Sequence, residues 1–293
     1  MNGNRGIELK HIGFIDYYLS EWHANNYPAW IKKAARDMGL NYKVSYAWGE
    51  KDVSPVDGVD SAAWCAEIGA VKCASLEEVC EKSDVLLILA PSNPETHLGY
   101  AKRALPFGKI TYIDKTFAPD EATAREIFAL SDRFSAPVFS SSALGFASEL
   151  EGLEGSEAVL TAGGGASLDE YIIHQAEMTA KLIEEEPEKI LCERQGTGQR
   201  IFHIRFSSGK SACMVYDSSL KFFVCAEAPD GTSRSSPIVS DKFGLLIRDI
   251  LRFYETGIPS FDRSRTLRVM RLRDAAIAAD RRKGEWLELR REG

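Results

Sequence analysis

The sequence predicts an α/β protein. Its first half should form a doubly wound parallel sheet, and its second half an α+β domain built on a mostly antiparallel, open sheet. Three observations carry this prediction. Apolar strand-like runs alternate with helix-like segments over short connections as far as residue 147. One of these runs, "DVLLILAP", is continuously apolar, as in a strand covered on both faces. Beyond residue 148 the alternation stops, and strand-like runs follow one another across Gly-, Ser- and Asp-bearing turns, the mark of antiparallel neighbours. The expected domains are therefore 1–147 and 148–293.

The first strand is "HIGFID". The helix after it ends at Gly39, and Pro28 would break its ladder, so its regular part is expected to begin near Pro28. "YKVSYAW" is the second strand. "SLEEVCEK" is a short helix, with Ser75 as N-cap and Glu78 three residues on completing a capping box. After "DVLLILAP", Asn93 is placed as the cap of a helix with Pro94 at its first position and Leu98, Ala101 and Leu105 on one side. "KITYID" is the next strand. A helix near 119–134 then aligns Ala124, Ile127, Leu130 and Phe134, and "PVFSSSAL" closes the parallel set. In the second half a helix, "SLDEYIIHQAEMTAKLIEE", precedes the strands "KILCER", "RIFHIRF", "SACMVYD" and "KFFVCAEA". Helices over 240–254 and 264–282 and a last strand, "EWLELR", complete the chain.

The bulk properties narrow the function classes. A net charge of −7 over 293 residues argues against nucleic acid as the main partner, since phosphate backbones require a basic face. The arginine-rich end (Arg263, Arg265, Arg268, Arg271, Arg273, Arg281, Arg282) is read as a solvated helix face that also carries Asp274 and Asp280. Six scattered cysteines with no CxxC pair suggest reduced thiols in a cytoplasmic protein, and no apolar run approaches the ~18 residues of a membrane span. The opening "MNGNRGIELK" has no apolar signal region.

Ligands of open parallel sheets lie outside the carboxyl ends of the strands. Four segments point there: the loop after Asp16, the turn Ala90–Pro91–Ser92–Asn93, Asp114–Lys115–Thr116, and the serines after Phe139. Lys115 directly follows an apolar strand. It reads either as a surface lysine paired with Asp114 or Asp120, or as a cation that positions a substrate oxygen. On the helix "EYIIHQAEMTAK", Glu170, His174, Glu177 and Lys181 fall on one face. A histidine there suits a general base near neutral pH, with a carboxylate one turn away to orient it, or the face is simply polar and exposed. No metal site is expected, because a second histidine is missing. His97, in the first turn of its helix, hydrogen-bonds locally or touches a ligand, and His11, His23 and His203 carry little signal.

At these residues the chain resembles the Gfo/Idh/MocA family of glucose–fructose oxidoreductases and inositol dehydrogenases. The most specific stretch is "DVLLILAPSNPETHLGYAKRALPFGKITYIDKTFAPDEATAREIFALSDRF", which is similar to the family's strand, xPxxxH turn, helix and Glu-Lys-Pro signature. His97 matches the family histidine and Lys115 the signature lysine. "GGGASLDEYIIHQAEM" resembles the glycine-led helix that carries the catalytic histidine, here His174, with Glu170 and Glu177 in acidic places. The resemblance implies a Rossmann-like domain binding NAD or NADP and oxidation of a secondary alcohol on a sugar or polyol. His174 would take the hydroxyl proton, while Lys115, aided by Glu170, would hold the oxygen. Glu177 and Tyr171 would face the substrate, and Gly13, Asp16, Ser20, Pro91, Asn93, His97 and Lys115 the cofactor. It also implies a homodimer or homotetramer through the C-terminal sheet, with no nucleic-acid or membrane partner.

Four departures stand beside these matches. The glycine fingerprint ends at Gly13, with Asp16, Tyr17 and Tyr18 in the loop where pyrophosphate would meet bare backbone. An ionised Asp16 would oppose phosphate by roughly 1 kcal/mol. A longer loop that swings the tyrosines aside would present backbone donors near Ser20. Thr116 replaces proline, which predicts a trans bond after Lys115. Trp48 and Gly49 end the second strand, so Glu50 or Asp52 would have to hold the adenosine ribose. Ile172 stands where a glycine is usual, two places before the histidine. Two alternatives follow: a non-redox binding or regulatory protein on the same fold, or a cofactor-independent lyase or isomerase.

Overall fold

The computed structural model describes residues 8–282 and 284–289. The reading of the first seven residues as free of a signal region lies outside them. The chain forms two compact units, Met1–Ser140 with Phe243–Ser260, and Ser141–Lys242 with Phe261–Gly293. The expected division at 147 and 148 thus differs in two ways. The first unit ends seven residues earlier, and it regains a helix that chain order assigns to the second half. Among the described residues no helix is long and apolar enough to cross a membrane.

The first unit is a parallel sheet with helices. In chain order it holds β1 (Lys10–Asp16), α1 (Trp22–Met38), β2 (Tyr42–Gly49), α2 (Ser61–Ile68), β3 (Val71–Lys72), α3 (Leu76–Lys82) and β4 (Val85–Ile88). A short 3-10 turn at Pro94–Thr96 leads into α4 (His97–Ala104), followed by β5 (Thr111–Ile113), α5 (Glu121–Phe134) and β6 (Val138–Phe139). The strand order β3-β2-β1-β4-β5-β6 reverses direction between β1 and β4, which puts the crevice for a ligand at their carboxyl ends. Ile12, Phe14, Ile15 and Leu86 to Leu89 are all fully buried, as a strand covered on both faces requires.

Helix α1 begins at Trp22, well before Pro28, which it accommodates internally. The cost of the lost ladder bond, about 3 kcal/mol, is offset in the turns before it. There Glu21 caps two backbone amides, and His23, Ala24 and Tyr27 are buried. Asn93 makes no side-chain cap; its amide donates to Glu95 instead. The buried stripe of α4 is His97, Tyr100, Ala101 and Ala104, and that of α5 is Ala124, Ile127 and Phe128. Asp120 caps α5 through the amide of Thr123 at 2.7 Å. The returning helix α7 (Lys242–Thr256) buries Leu246, Ile247, Ile250, Leu251, Phe253 and Tyr254. It is tied to the sheet by the Tyr254 hydroxyl, which donates to the Leu86 carbonyl at 2.8 Å. That contact explains why the helix belongs to the first unit.

The second unit is a mixed, mostly antiparallel sheet with two helices. Its elements are β7 (Ala158–Gly163), α6 (Leu168–Leu182), β8 (Pro187–Gln195), β9 (Gln199–Phe206), β10 (Ser211–Tyr216), β11 (Phe223–Glu227), β12 (Ser233–Pro237), α8 (Arg263–Asp280) and β13 (Leu287–Glu288). The order is β12-β11-β7-β10-β9-β8-β13, and β7 and β10 run parallel. Strict alternation places Phe202, Ile204 and Phe206 of β9 and Ala212, Met214 and Tyr216 of β10 in the core. Helices α6 and α8 pack on each other. The arginines of α8 are therefore not one solvated face. Arg265 pairs with Glu177 at 3.2 Å, and Arg273 donates to the Asp169 carbonyl at 3.1 Å, with only 8% of Arg273 exposed.

Candidate functional site

Each unit carries part of the predicted chemistry. In the first unit, Asp16 ends β1 and is 1% exposed. Its Oδ1 accepts from the amides of Tyr17 at 2.7 Å and Ala90 at 3.0 Å, while Oδ2 has no partner among the described residues. Burial and the charge of Glu21 push this carboxyl well above the usual carboxylate range. This disfavours the ionised form, whose charge was expected to repel phosphate, because ionisation without water is costly.

Glu21, the N-cap of α1, accepts from the amide of His23 at 2.8 Å and from that of Ala24. Burial raises its carboxyl too, against the opposing pull of His23. His23 is 8% exposed and packs among Trp22, Tyr27 and Phe243. Its Nδ1 pairs closely with Asp114 Oδ2, and the Tyr27 hydroxyl donates to Asp114 Oδ1 at 3.2 Å. Burial alone would raise the Asp114 carboxyl, but the charge and hydrogen bond of His23, with Lys115, hold it below its ordinary range. Sequence reasoning missed Glu21 and Tyr27 and gave His23 little weight. Their signal was position: they open the helix that follows the first strand, at the sheet's switch point.

Lys115 follows β5, is partly exposed, and donates from Nζ to the Pro91 carbonyl at 3.3 Å. Neither Asp114 nor Asp120 forms an ion pair with it; Asp114 faces His23 instead. The peptide bond between Lys115 and Thr116 is cis, contrary to the expectation drawn from the missing proline. His97 is fully buried with both ring nitrogens at carbonyls, Nδ1 3.0 Å from Phe117 and Nε2 2.5 Å from Leu89. It ties the β4 and β5 loops together and offers a ligand no face. Burial pushes its imidazole below the ordinary value, against those two acceptors.

The other cofactor-facing expectations resolve one by one. A Cβ on Gly13 would run into Ser83 Oγ and come within 2.5 Å of Val79 Cγ1. This glycine lets α3 approach β1, which is a packing role. Ser20 is spent on its own loop: its hydroxyl donates to Asp57 at 2.7 Å and its carbonyl accepts from Ser54 at 2.9 Å. At the end of β2, Glu50 accepts from the Tyr100 hydroxyl at 2.8 Å, and Trp48 meets the Tyr100 ring edge-on. Asp52 pairs with Lys72. Pro91 contributes the carbonyl that holds Lys115, and Asn93 is engaged with Glu95.

In the second unit α6 carries the predicted histidine. Ser167 caps this helix through the amide of Glu170 at 3.3 Å. His174 does not pair with Glu170. Its Nδ1 lies 2.7 Å from the hydroxyl of Ser142, which also accepts from the Leu144 amide at 3.2 Å. The imidazole packs edge-on against Tyr171 at 5.5 Å and Phe222 at 5.3 Å. The glycine run before α6 makes this packing possible, since a Cβ on Gly165 would collide with the Tyr171 ring and one on Gly164 with the Asp217 backbone. Ser142 was visible only as one of three serines after Phe139. Glu177 is 3% exposed, paired with Arg265, and accepts from the Ser142 amide at 3.1 Å. It therefore supports Ser142 from beneath and is not open to a substrate. The carboxylate of Glu170 has no side-chain partner among the described residues.

Tested against a nicotinamide dinucleotide, the sheet order fits and the phosphate loop in this conformation does not. The α1 amides that would meet a pyrophosphate are taken by Glu21. Among the described residues no group of three or more His, Cys, Asp or Glu side chains could hold a metal ion.

Comparison with known proteins agrees with this architecture. No family model matches the chain. A stretch of 58 residues, 20% of this chain, is 41% identical to the uncharacterized oxidoreductase YhhX of Escherichia coli (strain K12), and the match spans 17% of that protein. The crystal structure of a probable dehydrogenase from Thermotoga maritima superposes with a TM-score of 0.76 at 12% identity, over 95% of this chain and 98% of that one. Myo-inositol dehydrogenase from Lactobacillus casei, solved with NAD(H) and myo-inositol, gives 0.77 at 10% identity over 98% of both. The structural neighbours are dehydrogenases of the kind the sequence resembles, and what the chain shares with them is the fold: a Rossmann-like parallel sheet joined to a mixed, mostly antiparallel one.

Proposed function

We propose that this chain is an NAD(P)-dependent oxidoreductase acting on a secondary alcohol of a sugar- or polyol-like small molecule. The observation that carries this reading is the likeness, over nearly the whole chain, to a dehydrogenase solved with NAD(H) and myo-inositol. The 41% identical stretch of an oxidoreductase supports it. A nicotinamide, when bound, supplies a hydride acceptor; the protein's own task is to handle the proton and the oxygen.

Lys115, at the carboxyl end of β5, offers an ammonium to a hydroxyl oxygen and offsets the charge that grows there as its proton leaves. His174 is the base. In the tautomer whose Nδ1–H donates to Ser142 Oγ, the lone pair resides on Nε2, the arrangement a general base needs. Tyr171 packs on that imidazole and restricts its rotation. Glu170, whose carboxylate has no side-chain partner among the described residues, would aid Lys115 in holding that oxygen. Cytoplasmic residence and a homodimer or homotetramer through the second sheet complete the proposal.

The test is a fluorescence titration of stripped protein with NADH and NADPH, followed by an alcohol panel on wild type and His174→Ala. Saturable binding at micromolar levels and loss of turnover in the variant support the reading. No binding of either nucleotide up to millimolar levels removes it. That result would favour the second reading, a non-redox ligand-binding protein on the same fold, for which the Glu21 carboxylate on the α1 amides speaks directly.

A further inference from the structure

Four backbone amides lie at the carboxyl ends of β1 and β4 and in the first turn of α1, the region where a dinucleotide-binding domain receives its diphosphate: those of Tyr17, Ala90, His23 and Ala24. Such a set of N–H groups, with the positive end of a helix behind it, is an anion cradle. Here every one of the four is already satisfied, and by only two side chains. Asp16 Oδ1 takes Tyr17 and Ala90, and the Glu21 carboxylate takes His23 and Ala24. The two acids feel each other, since Glu21 is among the causes that raise Asp16. Asp16, 1% exposed, keeps a second oxygen with no partner among the described residues. A merely structural cap needs neither a second buried acid beside it nor that orphan oxygen.

We infer that Glu21 is an internal stand-in for a phosphate, holding the anion position at the start of α1 so that a dinucleotide enters only by displacing it. The inference rests on the oxidoreductase reading and adds a step to it: the side chain must swing out of the cradle before phosphate oxygens can reach His23 N and Ala24 N. The two anions compete for the same donors. Chemistry that neutralises or removes the Glu21 carboxylate therefore raises affinity for a diphosphate, in contrast to a residue that contacts the ligand.

The experiment uses full-length protein and NADH, with inorganic pyrophosphate as a second probe that has no nicotinamide. Glu21→Ser keeps a capping hydroxyl and removes the charge; Glu21→Gln keeps the length and serves if Glu21→Ser fails to fold. The expected result is NADH binding at least about tenfold tighter in the variants than in wild type. Pyrophosphate should bind more tightly as well, and ligand-induced amide shifts should centre on His23 and Ala24. Equal or weaker binding in the variants, with wild type still binding NADH, overturns the inference and leaves the oxidoreductase reading standing. Failure of wild type and variants alike to bind NADH up to millimolar levels overturns both. Tight NADH binding with no change at His23 and Ala24 places the diphosphate elsewhere and also overturns the inference.

Discussion

The hydroxyl of Ser142 lies 2.7 Å from Nδ1 of His174, in the position that a helix-borne carboxylate was expected to fill. The same oxygen accepts from Leu144 N, so its direction is fixed by the backbone. A hydroxyl held in this way fixes one ring orientation, whichever of the two groups donates. Ser142→Ala should therefore lower kcat by about tenfold, the worth of one hydrogen bond, with KM little changed. Ser142→Thr should restore most of the rate. An unchanged pH–rate profile and rate in Ser142→Ala would show that the contact does not position the base.

Asp16 gives a stability prediction with a definite sign. Its carboxyl is raised by burial and by Glu21, with Asp114 adding to the same effect, while the amides of Tyr17 and Ala90 pull the other way. A raised acid contributes stability while it is protonated and loses that contribution as pH climbs through its folded-state value. Asp16→Asn keeps the acceptor oxygen for both amides and cannot ionise. Its Tm should exceed that of wild type by roughly 2–4 °C at pH 8, and the gain should vanish toward pH 4. A variant less stable than wild type across that range would mean that the ionised form is favoured in the fold.

Gly13 separates a packing role from a ligand role. A Cβ there meets Ser83 and Val79 of the adjoining helix region. Gly13→Ala should cost about 1–3 kcal/mol in urea unfolding, as overpacking does, and leave the affinity for NADH unchanged in the folded fraction. A large loss of affinity without loss of stability would return the residue to the cofactor.

The parallel sheet was legible because its signals are local: continuous apolar runs for buried strands and capping residues such as Ser75 and Asp120 at helix starts. Pro28 misled because the cost of a proline inside a helix is paid across the fold, by the burial of His23 and Tyr27, which no local pattern displays. The strands β7 and β12 escaped notice: one runs into glycines that serve packing, and the other, "SRSSP", is polar and almost wholly exposed. Lys115 and His174 could be singled out from motif spacing. Their partners could not, because Pro91 and Ser142 reach them across 24 and 32 residues of chain. Periodicity placed Glu170 and Glu177 on one helix face with His174 but could not separate their fates. That difference depends on Arg265, which α8 brings against Glu177 from 88 residues away.

The Glu177–Arg265 pair supplies the last prediction. Both side chains are nearly buried, at 4% and 11% exposure, and the Nε of Arg265 has no partner among the described residues. Burial pushes the guanidinium downward while Glu177 pulls it back. Removing one partner strands a charge in a medium that cannot solvate it, so Glu177→Gln should cost about 3–5 kcal/mol. Replacing both, as Glu177→Gln with Arg265→Met, removes the stranded charge and should recover much of that loss. The cycle is measured by urea unfolding of the four proteins. Strictly additive losses would show that the two residues stabilise the unit independently. A strong coupling energy would identify the pair as the support on which Ser142, and through it His174, is set, because Glu177 also accepts from the Ser142 amide.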